Sequence, residues 1–224
     1  MKKTLKMSLL SAIVLSGIGM SNVYAASASD VSVGLQVGTL GVGVIAEMYI
    51  AKDIDARIGV NGYNYNYNTT SNGVAYSGHL KLQNAEFLAD WHPWSGDFRL
   101  TGGLLYNNNK FNLTGNPSSG SYTFNGNTYT AAQVGSVNAN IEFNQVAPYV
   151  GFGWGDNSQS AGIHFTSDIG VAYQGSPKAT ITATGAANDA QLASDVQAAQ
   201  SKLQSDLNNF RWYPVVELGL IYRF

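Results

Sequence analysis

The chain has 224 residues, of which 12 are basic, 14 are acidic and none is cysteine. The acidic balance argues against a nucleic-acid partner, which requires a basic face, and the lack of cysteine excludes a disulfide framework and a thiolate metal site. Charged residues make up only 12%, while Gly, Asn, Tyr and Ser are abundant, a composition that suits strands, tight turns and polar loops.

The first 25 residues have the features of an export signal. Three lysines precede a short apolar run at 7–18, and Val23 and Ala25 are the small residues that a signal peptidase requires before the cut. A membrane-spanning helix needs about 20 apolar residues, so this run is too short to be an anchor, and no later run approaches that length. We expect signal peptide 1–25, cleavage before Ala26 and one mature domain at 26–224.

Eight stretches of the mature chain alternate apolar and polar residues with a period of two. This period is typical of strands that have two unlike faces. The predicted strands lie at 31–38, 42–50, 55–67, 78–92, 98–107, 145–154, 162–174 and 211–224. In the fourth of them, Leu80 and Leu82 have the opposite phase to Phe87, which predicts a β-bulge near Asn84.

The connections between these strands alternate in length. Three are short, at 52–53, 93–97 and 155–161. Three are long, at 64–77, 112–140 and 176–210. The turn at 39–41 is short although it falls on the side of the long ones. The alternation predicts antiparallel strands that have short turns at one end and long loops at the other, as in bacterial transmembrane barrels.

The segment at 188–209 departs from the β pattern. Leu192, Val196, Ala199, Leu203 and Leu207 recur at intervals of three and four residues, which predicts an amphipathic helix, and Asn188 or Asp189 can cap its start. The helix lies in the last long loop. It could be a lid on the barrel mouth, a partner-binding helix or a helix in the membrane surface, although its acidic polar face argues against the last.

The final strand indicates the surroundings of the sheet. Every second residue from Val216 to Phe224 is apolar, and the strand ends on an aromatic side chain. Aromatic girdles mark the lipid–water boundaries of transmembrane barrels, in which only alternate residues face lipid. The girdle residues predicted here are Tyr222, Phe224, Trp91, Trp154 and Trp212.

The opposite faces of the strands are partly charged, and in a barrel they line the interior. Eight strands leave just enough room for side chains, and unpaired buried charges cost several kcal/mol, so we expect a lumenal charge network. Its predicted members are Glu47, Arg57, Glu86, Asp90, Arg99, His164, Asp168, Glu217 and Arg223. The network could be a polar plug that stabilises the barrel or a narrow gated path for small solutes or ions.

One face of the seventh strand carries the groups of nucleophilic catalysis. His164, Thr166 and Asp168 share it, but alternate residues of one strand lie about 7 Å apart, too far for an activating hydrogen bond, and Ser167 faces the other way. An enzyme is therefore not expected, and a lipid-modifying hydrolase is the least favoured hypothesis. The three scattered histidines predict no metal site, and no cofactor is expected.

Tyr63, Tyr65 and Tyr67 alternate with asparagines in the third strand and the loop that follows. Tyrosine and asparagine are adaptable contact residues in binding loops. The tyrosines could form part of an outer aromatic girdle, or a surface that recognises sugar, lipopolysaccharide or a host protein.

Taken together, the chain resembles the small Gram-negative outer-membrane barrels of the OmpA, OmpW and opacity-protein type. The resemblance covers essentially the mature length and is carried by the eight alternating strands, by the hairpin at 90–103 and by the terminal Tyr222-Arg223-Phe224. It implies an all-β fold, an eight-stranded antiparallel transmembrane β-barrel in the cell outer membrane, with the helix in its last long loop.

The resemblance also implies partners. These are outer-membrane lipid and lipopolysaccharide, and, during biogenesis, periplasmic chaperones and the barrel-assembly machinery that reads the terminal aromatic residues. It implies no single activity, because this fold serves many functions. We expect a monomer with a non-enzymatic structural or surface-interaction role, and the alternative is a narrow passive pore for small solutes or ions.

Overall fold

The structure is a computed structural model and describes residues 31–71, 73–117, 119–155 and 161–224, so the expected signal peptide lies outside the described residues. The strands are β1 Val31–Gly38, β2 Gly41–Ala51, β3 Ile54–Ser71, β4 Val74–Trp91, β5 Phe98–Asn107, β6 Lys110–Pro117, β7 Ser121–Phe124, β8 Asn127–Thr130, β9 Val137–Glu142, β10 Val146–Trp154, β11 Gly162–Tyr173, β12 Lys178–Ala183 and β13 Trp212–Arg223. The helices are α1 Ala131–Val134, a 3₁₀ turn at Thr184–Ala187, and α2 Ala190–Leu207.

Backbone pairing closes the main strands into a ring. β1 to β5 pair in succession, β5 pairs with β10, β10 with β11, β11 with β13, and β13 returns to β1, with every pair antiparallel. The last seam joins Val33 to Tyr222 and Leu35 to Leu220. The predicted all-β class is therefore confirmed, and the fold is a closed barrel whose interior we call the lumen.

The strand count differs from the expected one. The described residues contain thirteen strands, whereas eight are expected from the sequence pattern. The additional strands are β6, β7, β8, β9 and β12, and all of them lie in or overlap the segments expected to be long loops. Their sequences do alternate, as in Lys178–Ala183, but they are short and rich in Thr, Asn and Ala, so the apolar signal is weak.

The additional strands form a structure at one end of the barrel. β3 and β4 continue past the ring, and β6, β9 and β12 add to them in the order β3-β4-β6-β9-β12. We call this open sheet, the β7–β8 hairpin and α2 the crown. The barrel continues into the crown without a change of register. β4 pairs with β5 up to Asn84–Asn107, and further along it pairs with β6 from Lys81–Lys110.

The predicted bulge near Asn84 is wrong. β3 and β4 pair without a shift from Ile54–Trp91 to Ser71–Val74. The phase of the apolar residues reverses because the two halves of β4 have different surroundings. In the half beside the lumen, Phe87 points outward from the barrel and is exposed. In the half that belongs to the crown, Val74 points to the opposite face and is fully buried. One strand therefore has its apolar residues on opposite faces in its two halves.

The predicted helix is present as α2, and Asp189 caps it by accepting hydrogen bonds from the backbone N–H groups of Gln191 and Leu192, both at 3.0 Å. Its buried side chains Leu192 and Val196 pack in the crown with the aromatic residues of the β7–β8 hairpin, so α2 is not a lid on the barrel mouth. Neither helix in the described ranges is long and apolar enough to cross a membrane.

Candidate functional site

The centre of the lumen holds a network of four buried charged side chains from four strands. Arg57 on β3 donates to Asp168 on β11, from Nη1 to Oδ2 at 2.7 Å and from Nη2 to Oδ1 at 3.0 Å. It also donates to Asp90 at 3.2 Å, while Arg99 donates to Asp168 at 2.7 Å and to the carbonyl of Gly155 at 2.8 Å. Because β3 and β11 lie on opposite sides of the ring, the ion pair of Arg57 and Asp168 spans the lumen.

A second cluster lies between this network and the crown. Glu86 accepts hydrogen bonds from two buried amides, Gln36 and, at 3.2 Å, Asn61. Gln36 also donates to Asn61 at 2.8 Å. The two amides were not among the predicted lumenal residues, which were all charged or histidine, although both amides lie in the inward register of their strands.

The β1–β2 turn closes the crown end of the lumen. Leu40 is 1% exposed and packs inside the barrel against Leu88, Leu105 and Tyr149. Its N–H donates to Oε1 of Glu217 at 2.8 Å, and its carbonyl accepts from a side-chain amide at 3.1 Å. We call residues 39–40 the plug. The remaining cavity beside it is only ≈ 10 Å³, which is at most the room for one water molecule.

Backbone geometry lets the plug turn inward. Gly41 has a φ of +116°, a conformation that residues with a side chain rarely adopt. A Cβ atom at this position would lie 2.9 Å from the backbone carbon and oxygen of Gly62. The glycine is therefore required both by the turn and by the close approach of the neighbouring strand.

The nine predicted lumenal residues do not form one network. Arg57, Asp90, Arg99 and Asp168 come together, and Glu47 lies at their margin, 4.0 Å from Arg57 Nη1. Glu86 belongs to the amide cluster and Glu217 to the plug. Arg223 and His164 lie towards the end remote from the crown, where Arg223 donates to Ser32 at 3.1 Å.

Asp168 accepts from two arginines, so its carboxylate is committed to the charge network. Within the described ranges, no group of three His, Asp or Glu side chains could hold a metal ion.

The outer wall of the ring is apolar and exposed. A shallow groove of ≈ 780 Å³ crosses it from β11 to β4 and is lined almost entirely by apolar atoms. Contiguous apolar surface of this kind marks a membrane or protein contact. The exposed wall residues include Val33, Leu35, Val44, Val60, Phe87, Leu104, Val150, Phe165, Leu218 and Leu220.

Exposed aromatic side chains stand at both ends of this wall. The rings of Tyr222 and Phe224 make an edge contact with their centroids 5.1 Å apart, and Trp212, at the crown end, lies 4.8 Å from the ring of Tyr173. The predicted girdle residues at the end remote from the crown are Trp91, Trp154, Tyr222 and Phe224.

At the remote end, His92 fixes the turn between β4 and β5. Its Nε2 lies 3.1 Å from Asp55 Oδ2 and its Nδ1 lies 2.9 Å from the carbonyl of Gly96. Both neighbours accept hydrogen bonds, so the doubly protonated ring satisfies both. The hydrogen bond to Asp55 raises the pKa of His92 above its usual range.

This geometry predicts a pH dependence of stability. The raised pKa contributes stability that is complete below the unfolded value of about 6.5 and is lost as the pH rises through the folded value. We expect His92→Gln to lower the free energy of unfolding by on the order of 1 kcal/mol at pH 6 and by less at pH 9. Urea unfolding at the two pH values measures this. An equal loss at both would contradict it, and Asp55→Asn should remove the same pH dependence.

Comparison with known proteins supports the fold. No family model matches the chain, and no curated protein does. A crystal structure of Acinetobacter baumannii CarO2 is similar, with a TM-score of 0.58 and 24% identity over 87% of this chain and 98% of that one. A crystal structure of Acinetobacter baumannii CarO has a TM-score of 0.56 and 23% identity over 86% and 97% of the two chains. At these identities the likeness concerns the fold: this chain has the same barrel architecture as the two CarO structures.

Proposed function

We propose that the protein is an integral outer-membrane barrel with a non-enzymatic role, structural or in surface interaction, and that it presents the crown outside the cell. One observation carries the membrane location: the ring is apolar on its exposed wall and charged in its buried interior. A water-soluble barrel has the reverse arrangement, because the hydrophobic effect removes apolar side chains from water. The resemblance in fold to the CarO structures is consistent with this location.

The connections support the orientation. At the remote end the strands are joined by short turns such as residues 52–53. At the other end stand the crown and the plug. Bacterial barrels have short turns on the periplasmic side and longer connections outside, so the crown is the outer part.

The lumen favours a surface role over a passive pore. A path for solutes needs a continuous opening through the lumen. Here the plug, the cluster of Glu86 with its two amides, and the charge network follow one another along the barrel axis and fill it. The cavity left beside the plug is ≈ 10 Å³. The part of the molecule that offers extended, exposed and polar surface is the crown.

The exposed aromatic residues and the apolar wall also suit the biogenesis and the surroundings of an outer-membrane barrel. The exposed Tyr222 and Phe224 at the end of β13 suit recognition by the barrel-assembly machinery after delivery by periplasmic chaperones. Membrane lipid and lipopolysaccharide would surround the apolar wall, and the closed ring, which leaves no open strand edge within the wall, suits a monomer.

Labelling of single cysteines tests the proposal, since the chain has none of its own. Asn188→Cys places an exposed thiol just before α2 of the crown, and Lys52→Cys places a matched one in a remote turn. On intact cells, a membrane-impermeant maleimide should label the first and leave the second unlabelled until the outer membrane is permeabilised. Labelling of Lys52→Cys alone on intact cells would reverse the orientation, and equal labelling of both variants would contradict the membrane location.

A further inference from the structure

The crown sheet has two outer edges, and one of them is covered. At β12, the backbone N–H groups of Ala179 and Ile181 donate to the side chains of Gln204 and Gln200, each at 2.9 Å. Gln204 also donates to the carbonyl of Pro177 at 2.7 Å. Two glutamines of α2 therefore occupy backbone groups that a further strand would need.

The opposite edge, formed by β3, is open. β2 accompanies β3 only as far as the pair Val42–Gly62, whereas β4 continues to the pair Ser71–Val74. Along 63–71 no other described strand pairs with the free side, and all nine residues are exposed. Open edges carry unpaired backbone donors and acceptors that can bind another strand.

The usual protections of an edge strand are missing here. Proteins block such edges with lysines, prolines or bulges. The segment at 63–71 contains no charged residue and no proline, and it pairs with β4 without a register shift. The contrast with the covered β12 edge of the same sheet indicates that the open edge is a binding surface.

We propose that residues 63–71 bind an extended peptide segment of another protein as an added strand of the crown sheet. This rests on the proposed function, which places the crown outside the cell. The partner strand is uncharged, because the edge offers no charge to pair with. Its alternate residues are aromatic or apolar where they meet Tyr63, Tyr65 and Tyr67, and amide or hydroxyl side chains where they meet the asparagines of the other face.

A second copy of the chain fits this edge less well. Two copies in one membrane carry β3 in the same direction relative to the bilayer. Their identical edges therefore cannot meet in the antiparallel arrangement that every strand pair of this sheet uses. The experiment below distinguishes self-association from binding of a peptide.

Cysteine crosslinking tests the proposal on the purified full-length protein in detergent. The probe is a synthetic nine-residue peptide of alternating threonine, tyrosine and valine with one central cysteine. Asn66→Cys and, to cover both faces, Tyr65→Cys report on the open edge. Thr180→Cys, also exposed on a strand, is the matched control on the covered edge. We expect disulfide formation with the peptide to be about tenfold faster at the open edge.

Further results decide the proposal. The same peptide with N-methylated alternate amides should react about tenfold more slowly, because it cannot complete the backbone pairing. Equal rates at the two edges, or no effect of N-methylation, would overturn the proposal. Disulfide-linked dimers of Asn66→Cys that form without peptide would replace the peptide partner by a second copy. Edge-specific reaction in detergent without reaction on intact cells would refute the outward orientation and leave the binding edge in place.

Discussion

Replacing Arg57 by leucine is expected to lower the free energy of unfolding of the barrel by about 3–5 kcal/mol, the usual effect of breaking a buried ion pair by removing one partner. Arg57 is 2% exposed and contacts both Asp90 and Asp168. Without it, two buried carboxylates share Arg99 alone. The loss follows mainly from the charge left uncompensated, since burial of a charge is unfavourable unless it is paired.

Urea unfolding in detergent, followed by tryptophan fluorescence, measures this change. Lys110→Leu is the matched control, because it removes a cation from an ion pair of 3.0 Å whose members are 40% and 56% exposed. Such surface pairs contribute about 0–1 kcal/mol. Adding Asp90→Asn to the Arg57 variant should recover part of the stability. A variant within 1 kcal/mol of the parent chain would show that the network does not stabilise the barrel.

The second large effect is expected in the crown. Asp195 on α2 accepts hydrogen bonds from Tyr129 at 2.5 Å and from Asn127 at 2.7 Å, with Asn125 and Gln191 at 3.2 and 3.3 Å. This carboxylate therefore joins the helix to the β7–β8 hairpin. We expect Asp195→Ala to release the hairpin, so that chymotrypsin cuts at the aromatic residues that are buried in the parent crown.

Limited digestion followed by mass spectrometry identifies the cut sites. Asp206→Ala, an exposed acid on the same helix, is the matched control and should leave the hairpin protected. Unfolding of the barrel itself should change little, because the lumenal network lies outside the crown. A hairpin that stays resistant in Asp195→Ala would refute the role of this carboxylate.

The same cluster predicts the pH range in which the crown is ordered. The hydrogen bond from Tyr129 lowers the pKa of Asp195 to about 2, and the bond to Asp195 raises the pKa of Tyr129 to about 12. The unfolded values are about 3.9 and 10. The stabilisation is therefore complete between these two values, and it is lost as the pH falls through about 2 or rises through about 12. Pepsin should cut the parent hairpin at pH 2 and leave it intact at pH 4.

The barrel strands could be predicted because their two faces meet different surroundings, which imposes a clear period of two along strands such as Gly162–Tyr173. The crown strands have the same period but are short and rich in small residues. Their place in the sheet depends on the extension of β3 and β4, which no local pattern indicates. The helix was predictable from its spacing, whereas its packing partner was not.

The lumen could be predicted in part. Inward charges identified Arg57 and Asp168, because buried charges must find partners. The contribution of Gln36 was missed, since a neutral amide in an inward position carries no comparable requirement. The plug was missed because Leu40 is an apolar residue in a turn, and only the folded barrel shows that it enters the lumen.

The contacts of the plug determine when the lumen can be sealed during folding. Thr39 and Leu40 hydrogen-bond to Pro214, Val216 and Glu217 of β13, about 175 positions later in the chain. Contacts of such large sequence separation form late, because the intervening chain must first be ordered. The plug therefore lacks these hydrogen-bond partners until β13 has been added to the barrel. Closure of the ring and seating of the plug therefore depend on the same strand, and an assembly intermediate that lacks β13 has neither a closed ring nor a bound plug.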